Sequence, residues 1–362
     1  MKIKTEVLQK MVAKSIQGAS FNKMIPLTSL IGIKYVDDNL ILTTTDGSNQ
    51  LKVSMTEVQL GITEKQPNFY TIVNADTFSK LVSKTTKEFI ELENKDNYLE
   101  VTGNGTYKLE IAINEEGEMV KFPTIDTLKD IYPYPIDTKV LQEAIKITRA
   151  STAKTMELPC LTGYYIADNI ITTNREMICI MQNSLTKEPI LLSNEIAELV
   201  LLIDNETISV YHKDNNLILD STNYTIIGKE LEGKDIYPVS QITDTLNVAY
   251  KNTIKVNKQE LLNVLDRMNL FVTDYDKGGI YLDFTEAGLI IRSQKSNAEE
   301  IIEIEGSLEP EDRFNCLIDI EMLKAQVETI LTDVVEIAYG QDTSIKIVDG
   351  KVIHIISLAQ KE

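Results

Sequence analysis

Positively charged side chains recur at spacings that would place them on single faces of several predicted helices. Lys10 and Lys14 are four residues apart, and Lys139, Lys146 and Arg149 are separated by seven and three. Side chains at these spacings share a helix face, so each group would form one cationic stripe. The candidate phosphate-contacting residues are Lys10, Lys14, Lys23, Lys80, Lys84, Lys139, Lys146, Arg149, Lys154, Lys258 and Arg267. Such stripes suit loose phosphate contact that does not depend on nucleic-acid sequence.

The same stripes have a simpler interpretation, in which lysines only solvate exposed helix faces. The predicted helix after Ser193 has no cation, and the one after Asp319 has only Lys324 among acids. The net charge of −19 also argues, taken alone, against a nucleic-acid partner, because phosphate contact needs cations. The positions of the cations matter more than the net charge, so an acidic protein with one positive surface can still contact phosphates.

Residue patterns that support catalysis are absent from the sequence. It contains no phosphate-binding loop, nucleophile elbow or zinc-protease motif, and Gly103–Lys108 is typical of a hairpin turn. The histidines and the widely separated cysteines are His212, His354, Cys160, Cys179 and Cys316. We therefore expect no metal, no cofactor and no enzymatic activity. A hydrolase with paired carboxylates is the alternative, although no spacing of acids supports it.

The length of 362 residues predicts two or three domains rather than one hydrophobic core. With 43% hydrophobic and 25% charged residues, the composition is that of a globular protein. No apolar run approaches the ~20 residues of a membrane-spanning helix, and Met1–Lys10 lacks the apolar core of a signal peptide. We expect a cytoplasmic protein, with its cysteines unpaired in a reducing compartment.

One structural unit recurs six times along the sequence. Each copy has a short extended run, then a residue that can cap a helix, then apolar residues at helical spacing. The predicted helix starts are Thr5, Asn74, Asp137, Ser193, Asn257 and Asp319. Their spacing is a weak repeat of roughly 60 residues, which indicates a repeated architecture.

Pairs of strand-like runs follow each predicted helix and turn at Asp, Asn or Gly. IGIKYV turns into LILTTT through Asp37–Asn39, and TISVY turns into LILDS through Lys213–Asn215. One helix with several antiparallel strands cannot bury its apolar helix face alone, so we expect the units to pair. Six units predict an α+β fold of three similar domains, with bounds 1–128, 129–248 and 249–362. The alternative is an ordinary multidomain α+β protein whose units are similar by accident.

Several short segments share their order and spacing with segments of one protein family. They are Met24–Leu30, Leu42–Asp46, Lys121–Pro123, Leu161–Gly163 and Thr173–Ile178. Through them the chain resembles, over essentially its whole length, the β subunit of bacterial DNA polymerase III, the sliding clamp. The resemblance implies the DNA clamp fold, in a divergent relative. The lysine content and the absence of tryptophan suggest an AT-rich bacterial genome or its phage.

The family's architecture accounts for the positions of the cations. In that family two crescent-shaped monomers close head to tail into a ring, helices line the hole and continuous sheet forms the rim. The resemblance implies a homodimer that encircles double-stranded DNA, with the candidate phosphate-contacting residues facing it. It also implies a DNA polymerase and a clamp loader as partners. Weak contact suits a protein that slides, and an acidic outer surface discourages DNA from binding there.

Partners of the family bind by a short linear peptide in an apolar cleft between the second and third domains. The corresponding residues here are Leu161, Thr173, Arg175, Ile178, Val239, Ile242, Ile355, Ile356 and Leu358. For the aliphatic members the alternative is plain core packing. Arg175 stands where the family has glycine, Leu358 where it usually has proline, and Gln360 where it usually has arginine. We expect these departures to alter which peptides the cleft prefers.

Ring closure in the family joins the outer strand and second helix of domain one to the far edge of domain three. The corresponding residues here are Lys80, Leu109, Ile111, Leu270, Phe271, Glu300 and Glu303. Apolar contacts flanked by opposite charges would form a complementary interface. Charge reversal at Glu300 and Glu303 should therefore weaken the dimer.

A second interpretation keeps the clamp fold but not the ring. In it the chain is a protein-interaction platform that does not encircle DNA. The cation-free fourth helix and the altered C-terminal residues favour it slightly. It predicts partner binding without retention on circular DNA.

Overall fold

Two compact units make up the computed structural model, which describes residues 1–63, 66–123, 131–186, 188–273 and 278–359. The first unit comprises Met1–Val140 and Glu195–Glu230, and the second comprises Leu141–Asn194 and Leu231–Glu362. In the described residues each unit has one eight-stranded and one four-stranded antiparallel sheet together with helices. The fold is α+β, as the sequence predicts.

The first unit places its helices against two sheets. The larger sheet, in spatial order, is β5 (Phe69–Asn74), β2 (Leu30–Val36), β3 (Asn39–Thr45), β4 (Gln50–Thr56), β16 (Tyr224–Lys229), β15 (Asn216–Asp220), β14 (Thr207–Lys213) and β9 (Tyr134–Asp137). The smaller is β1 (Lys2–Lys4), β6 (Phe89–Asn94), β7 (Tyr98–Thr102) and β8 (Thr106–Glu110). The helices are α1 (Thr5–Ser15), α2 (Glu57–Leu60) and α3 (Ala75–Lys84). Helix α1 buries Leu8, Met11 and Val12, whose spacing defines its core face.

The second unit repeats this arrangement. Its larger sheet, in spatial order, is β13 (Ile190–Leu192), β10 (Tyr164–Ile166), β11 (Asn169–Thr173), β12 (Met177–Gln182), β24 (Val352–Ser357), β23 (Ser344–Asp349), β22 (Val334–Tyr339) and β17 (Asn252–Asn257). The smaller is β20 (Glu299–Ile302), β19 (Gly288–Ser293), β18 (Gly279–Thr285) and β21 (Phe314–Asp319). The helices are α6 (Val239–Leu246), α7 (Lys258–Asn269) and α8 (Ile320–Thr329). The chain passes between the units within α4 (Thr138–Thr148), at the start of α5 (Asn194–Val200) and again between Glu230 and Leu231.

Four of the six predicted helix starts are confirmed as side-chain caps. In each, a side-chain oxygen accepts a hydrogen bond from the backbone N–H three residues on, at 2.9–3.0 Å; the capping residues are Asn74, Asp137, Asn257 and Asp319. Ser193 lies directly before α5. The prediction at Thr5 was wrong, because Lys4 occupies the cap position. The Thr5 hydroxyl instead donates to the carbonyl of Lys87 at 2.6 Å.

The predicted hairpin turns are also confirmed. Asp37 and Asp38 have φ of 49° and 61° between β2 and β3, and Asp214 and Asn215 have φ of 49° and 64° between β14 and β15. Positive φ at both central residues matches the right-handed twist of the flanking strands, and Asp and Asn tolerate it better than most residues. Asp and Asn recur at these turns because the backbone there needs positive φ.

Each large sheet joins strands that are far apart in the chain. Strand β4 pairs with β16, and β12 pairs with β24, both antiparallel. The first ladder joins strands from the first two predicted domains, and the second joins strands from the last two. The division into three domains stays a prediction, and its first bound, between residues 128 and 129, lies outside the described residues.

Candidate functional site

An apolar cluster in the second unit gathers four of the nine predicted cleft residues. Leu161 and Ile242 are buried members, and Ile178 and Val239 are partly buried and pack against the cluster. The other buried members are Cys160, Ile171, Ile180, Leu191 and Tyr237. Partly buried aliphatic side chains beside a buried floor are the composition expected of a peptide-binding cleft.

Helix α6 and two tyrosines form one wall of this cluster. Val239, Ile242 and Leu246 recur at helical spacing, so one face of α6 packs on the cluster. The hydroxyl of Tyr237 donates to the carbonyl of Ile171 at 3.1 Å, and its ring stacks on Tyr165 with centroids 5.1 Å apart. Burial raises the pKa of Tyr237, so this hydroxyl remains a donor. Sequence reasoning missed both tyrosines; the apolar spacing in VSQITDTL could have identified the helix.

A tight turn between β11 and β12 holds Thr173 and Arg175. The side-chain oxygen of Asn174 accepts hydrogen bonds from the backbone N–H groups of Glu176 at 3.0 Å and Met177 at 2.7 Å. The Thr173 hydroxyl donates to the Met177 carbonyl at 2.8 Å and accepts from the Arg175 N–H at 3.1 Å. Arg175 has φ of +81°, the left-handed region that favours glycine. The turn thus keeps a glycine conformation with an exposed arginine in it.

The C-terminal strand β24 lies beside this turn. Ile355 is opposite Ile178 in the β12–β24 ladder, and the backbone N–H of Ser357 donates to the carbonyl of Glu176 at 2.8 Å. Ile355 is 2% exposed, so it is closed to direct peptide contact. Ile356 and Leu358 pack with a second, larger core cluster rather than with the cleft cluster. Gln360 lies outside the described residues.

A cavity of about 220 Å³ opens where the cleft cluster meets the turn. Its lining is Ala153, Thr155, Glu157, Leu158, Leu161, Asn174, Arg175 and Glu176. The structure thus brings Leu161 and Arg175 to one opening, with apolar side chains below and charged side chains at the mouth.

The predicted DNA-facing cations of the first unit are mostly exposed. Lys10, Lys23, Lys80, Lys84 and Lys139 are exposed. Two of the set have carboxylate partners: Lys80 lies 2.7 Å from Asp76, and Lys14 lies 2.6 Å from Asp204. Lys14 is half-buried. Burial alone would lower its pKa, but the hydrogen bonds to Asp204 and Tyr224 outweigh that effect and raise the pKa.

The cations of the second unit divide in the same way. Lys146, Arg149 and Lys154 are exposed, around the end of α4 and the following loop. Lys258 instead donates to the carbonyl of Ile330 at 2.5 Å. Arg267 binds Glu300 through two hydrogen bonds, at 2.8 and 2.5 Å. This last contact joins a predicted DNA-facing residue to a predicted dimer-interface residue of the same chain.

The other predicted interface residues lie at sheet edges and helix ends. Leu109 and Ile111 are partly buried in and after the edge strand β8, and Glu303 is exposed just after the edge strand β20. Leu270 and Phe271, at the end of α7, are 81% and 42% exposed. Exposed apolar side chains near an unpaired strand edge are a ready site for association.

Within the described residues, no group of three or more His, Cys, Asp or Glu side chains could hold a metal. Burial lowers the pKa of His354 to about 4 and raises the pKa of the Cys179 thiol. His212 lies 3.0 Å from the buried carboxylate of Glu230. None of these groups lies at the cleft opening. No helix in the described part of the chain is long and apolar enough to cross a membrane.

Comparison with known proteins identifies relatives for the whole chain. Residues 1–124 match the family model described as DNA polymerase III beta subunit, N-terminal domain. The beta sliding clamp of Bacillus subtilis (strain 168) is 22% identical over 319 residues, covering 83% of this chain and 81% of that protein.

Solved structures match over almost the full length. The DNA polymerase sliding clamp from Bacillus subtilis has a TM-score of 0.84 at 16% identity, covering 100% of this chain and 99% of that one. The DNA polymerase III beta chain from Streptococcus pneumoniae TIGR4 has a TM-score of 0.87 at 16% identity, covering 99% of each chain. The Helicobacter pylori beta clamp bound to a DNA ligase peptide has a TM-score of 0.83 at 17% identity, covering 99% of this chain and 100% of that one.

The fold is therefore that of the DNA sliding clamps. Residues 1–124 match the DNA polymerase III beta subunit family, and the chain is similar to a bacterial beta sliding clamp over 83% of its length. The resemblance inferred from the sequence is confirmed.

Proposed function

We propose that this chain is a DNA sliding clamp. Two copies form a ring around double-stranded DNA, and the ring tethers a DNA polymerase and other replication and repair proteins. The match to a beta sliding clamp along 83% of the chain supports this function most directly. The protein works in the bacterial cytoplasm, where the chromosome is replicated, and performs no chemistry itself.

The exposed cations support sequence-independent contact with DNA. No described residue forms an ion pair with Lys10, Lys84, Lys146 or Lys154, so these ammonium groups are free to contact phosphates. Lys14 and Arg267 already have carboxylate partners and contribute less. Phosphate contact through these four lysines, in a protein of net charge −19, would be weak, which suits a clamp that must slide.

Association of two copies would use the edge strands. Strand β8 ends the smaller sheet of the first unit, and β20 ends that of the second. Pairing β8 of one copy with β20 of another would continue both sheets and cover Leu270 and Phe271. Both partners of such a contact are surfaces of the same chain, so two contacts close a two-subunit ring.

Partner proteins would bind in the cleft formed by Leu161, Ile178, Val239 and Ile242. The Helicobacter pylori relative holds a DNA ligase peptide, and the apolar cluster here has the composition that such a peptide needs. We assign polymerase and clamp-loader binding to the same cleft. The comparisons do not favour the interaction platform that lacks a ring.

Retention on circular DNA tests the proposal. The dimer is dissociated with mild chaotrope, mixed with nicked circular plasmid, returned to buffer and passed over a large-pore gel-filtration column. We expect the protein to elute with the plasmid and to be lost when a restriction enzyme linearises it. In light scattering without DNA, a mass near twice 40.8 kDa is expected.

An interaction platform would give a different result, because its binding to DNA would not depend on topology. Equal retention on circular and linear plasmid, or none on either, would contradict the ring.

A further inference from the structure

One of the two lysines on the polar face of α1 is held by a carboxylate. Lys10 and Lys14 are four residues apart in this helix, so their side chains share one face. Lys10 is exposed, and no described residue forms an ion pair with it. The Nζ atom of Lys14, by contrast, lies 2.6 Å from Oδ2 of Asp204. The face therefore presents one unpaired ammonium group and one that is already neutralised.

Two side chains hold the ammonium group of Lys14 in place. It donates hydrogen bonds to Asp204 and to the hydroxyl of Tyr224, and it lies 5.0 Å from the centre of the Tyr224 ring. The side chain of Lys14 is 29% exposed, which is less than that of Asp204 at 64%. A lysine with two hydrogen-bond partners and a ring beside it is more ordered than one in a fully exposed ion pair.

Asp204 comes from a distant part of the sequence that contributes no cation of its own. Helix α5 contains no lysine or arginine, and Asp204 follows it in the loop before β14. The residue is 190 positions from Lys14, so the pair is unlike the local contact of Lys80 with Asp76 within one helix. A carboxylate of the predicted second domain thus neutralises a cation of the predicted first domain.

A phosphate that approaches this face of α1 would compete with Asp204. An ammonium group paired with a carboxylate attracts a third group weakly, because the two opposite charges nearly cancel at a distance. Affinity for duplex DNA rises with the number of phosphates that unpaired cations neutralise. Occupation of Lys14 by Asp204 therefore removes one of the phosphate contacts that the face could make.

We propose that Asp204 limits the affinity of the protein for duplex DNA by occupying Lys14. This inference rests on the proposed function, in which this face of α1 contacts DNA. The carboxylate keeps the contact weak enough for sliding, so that retention depends on closure of the ring rather than on attraction to phosphates. Asp204 is thus an affinity-determining residue that acts through Lys14 and does not itself touch DNA.

Fluorescence anisotropy with a short fluorescein-labelled DNA duplex of mixed sequence tests this effect. The dissociation constant of the full-length protein is measured over a series of salt concentrations. Asp204→Asn removes the charge and keeps the shape of the side chain. We expect it to bind about fivefold more tightly at low salt, with a slope of log K against log salt steeper by about 0.9, the value for one further phosphate contact. The same substitution should give no gain in a protein that also carries Lys14→Gln.

Glu286→Gln is the matched control, because it removes the carboxylate that binds Arg313, a cation outside the predicted DNA-facing set, and should change neither affinity nor slope. Urea denaturation of every variant verifies folding. Unchanged affinity in Asp204→Asn, an equal gain in the control, or a gain that persists without Lys14 would overturn the inference while leaving the ring in place. Failure of the parent protein and every variant to bind the duplex at low salt would contradict phosphate contact itself, and the inference with it.

Discussion

At the scale of single residues, the buried amide of Gln326 supports the turn that holds Arg175. Gln326 is fully buried in α8 and donates to the Ser151 hydroxyl and to the Met177 sulfur, both at 3.0 Å. Its oxygen lies 2.5 Å from Nδ1 of His354, which must donate because the amide oxygen only accepts. A fully used buried amide fixes its neighbours in place. The end of the cleft turn is therefore positioned from α8.

His354 makes this buried network sensitive to pH. Burial lowers its pKa from 6.5 to about 4, against an opposing effect of Asp349. Between these values the unfolded chain binds a proton that the folded protein excludes, so lowering the pH favours unfolding. We expect this residue to reduce the free energy of unfolding by up to about 3 kcal/mol as pH falls from about 6.5 to 4, and to have no effect above that range.

Urea denaturation at neutral pH and at pH about 4.5 measures this effect. His354→Gln removes the titrating group, so the variant should lose less stability on acidification than the parent protein. Equal losses in the two proteins would show that His354 is not the group responsible.

At the scale of secondary-structure elements, the start of α7 depends on one side chain. Asn257 accepts a hydrogen bond from the backbone N–H of Glu260 at 2.9 Å, and the helix it caps holds Lys258 and Arg267. We expect Asn257→Ala to lower the free energy of unfolding by about 1 kcal/mol, measured by urea denaturation. Asn257→Asp keeps the acceptor and should have little effect. A similar loss in both variants would mean that the cap is not the cause.

Elements set by near neighbours were predictable from the sequence. Caps such as Asn257 and turns such as Asp37–Asp38 depend on groups a few residues apart, and both predictions are confirmed. Thr5 was misassigned because its hydroxyl is used by the carbonyl of Lys87, a contact between distant segments. The pairing of β4 with β16, and of β12 with β24, has no local signal either, since strand partners are selected by packing.

In the candidate site, too, some residues were predictable from the sequence, whereas contacts between distant segments were not. The resemblance predicted Leu161 and Ile242, and both lie in the cleft cluster. It gave no indication that Tyr165 and Tyr237 stack, because their contact depends on where α6 packs. The partner of Glu300 was also not foreseen, since an exposed glutamate can pair with any nearby cation.

At the scale of the whole molecule, the ion pairs within one chain bear on what holds the dimer together. Lys80 pairs with Asp76, and Glu300 pairs with Arg267. Both charges of the predicted interface are therefore already neutralised within one chain, before a second copy binds. The side chain of Leu270, by contrast, is 81% exposed. We expect Leu270→Asp to raise the dimer dissociation constant at least about tenfold, because it places a charge where apolar surface should be buried.

Sedimentation equilibrium measures this constant. Leu331→Asp is the control, because Leu331 is 66% exposed in the same unit and is not assigned to the interface. Charge reversal at Glu300 and Glu303 is the companion variant. If Leu270→Asp leaves the dimer unchanged while the charge reversal weakens it, closure would be electrostatic rather than apolar.

The ladder between β12 and β24 has a consequence for how the second unit is held together. Its residue pairs run from Met177 opposite Ile356 to Met181 opposite Val352. The polypeptide between these strands passes through α6 and on to β17. A break between Leu246 and Asn252 would leave two fragments that still share one sheet. The two sides of such a break would thus be joined by the backbone hydrogen bonds of this ladder, the kind of contact that strand complementation uses.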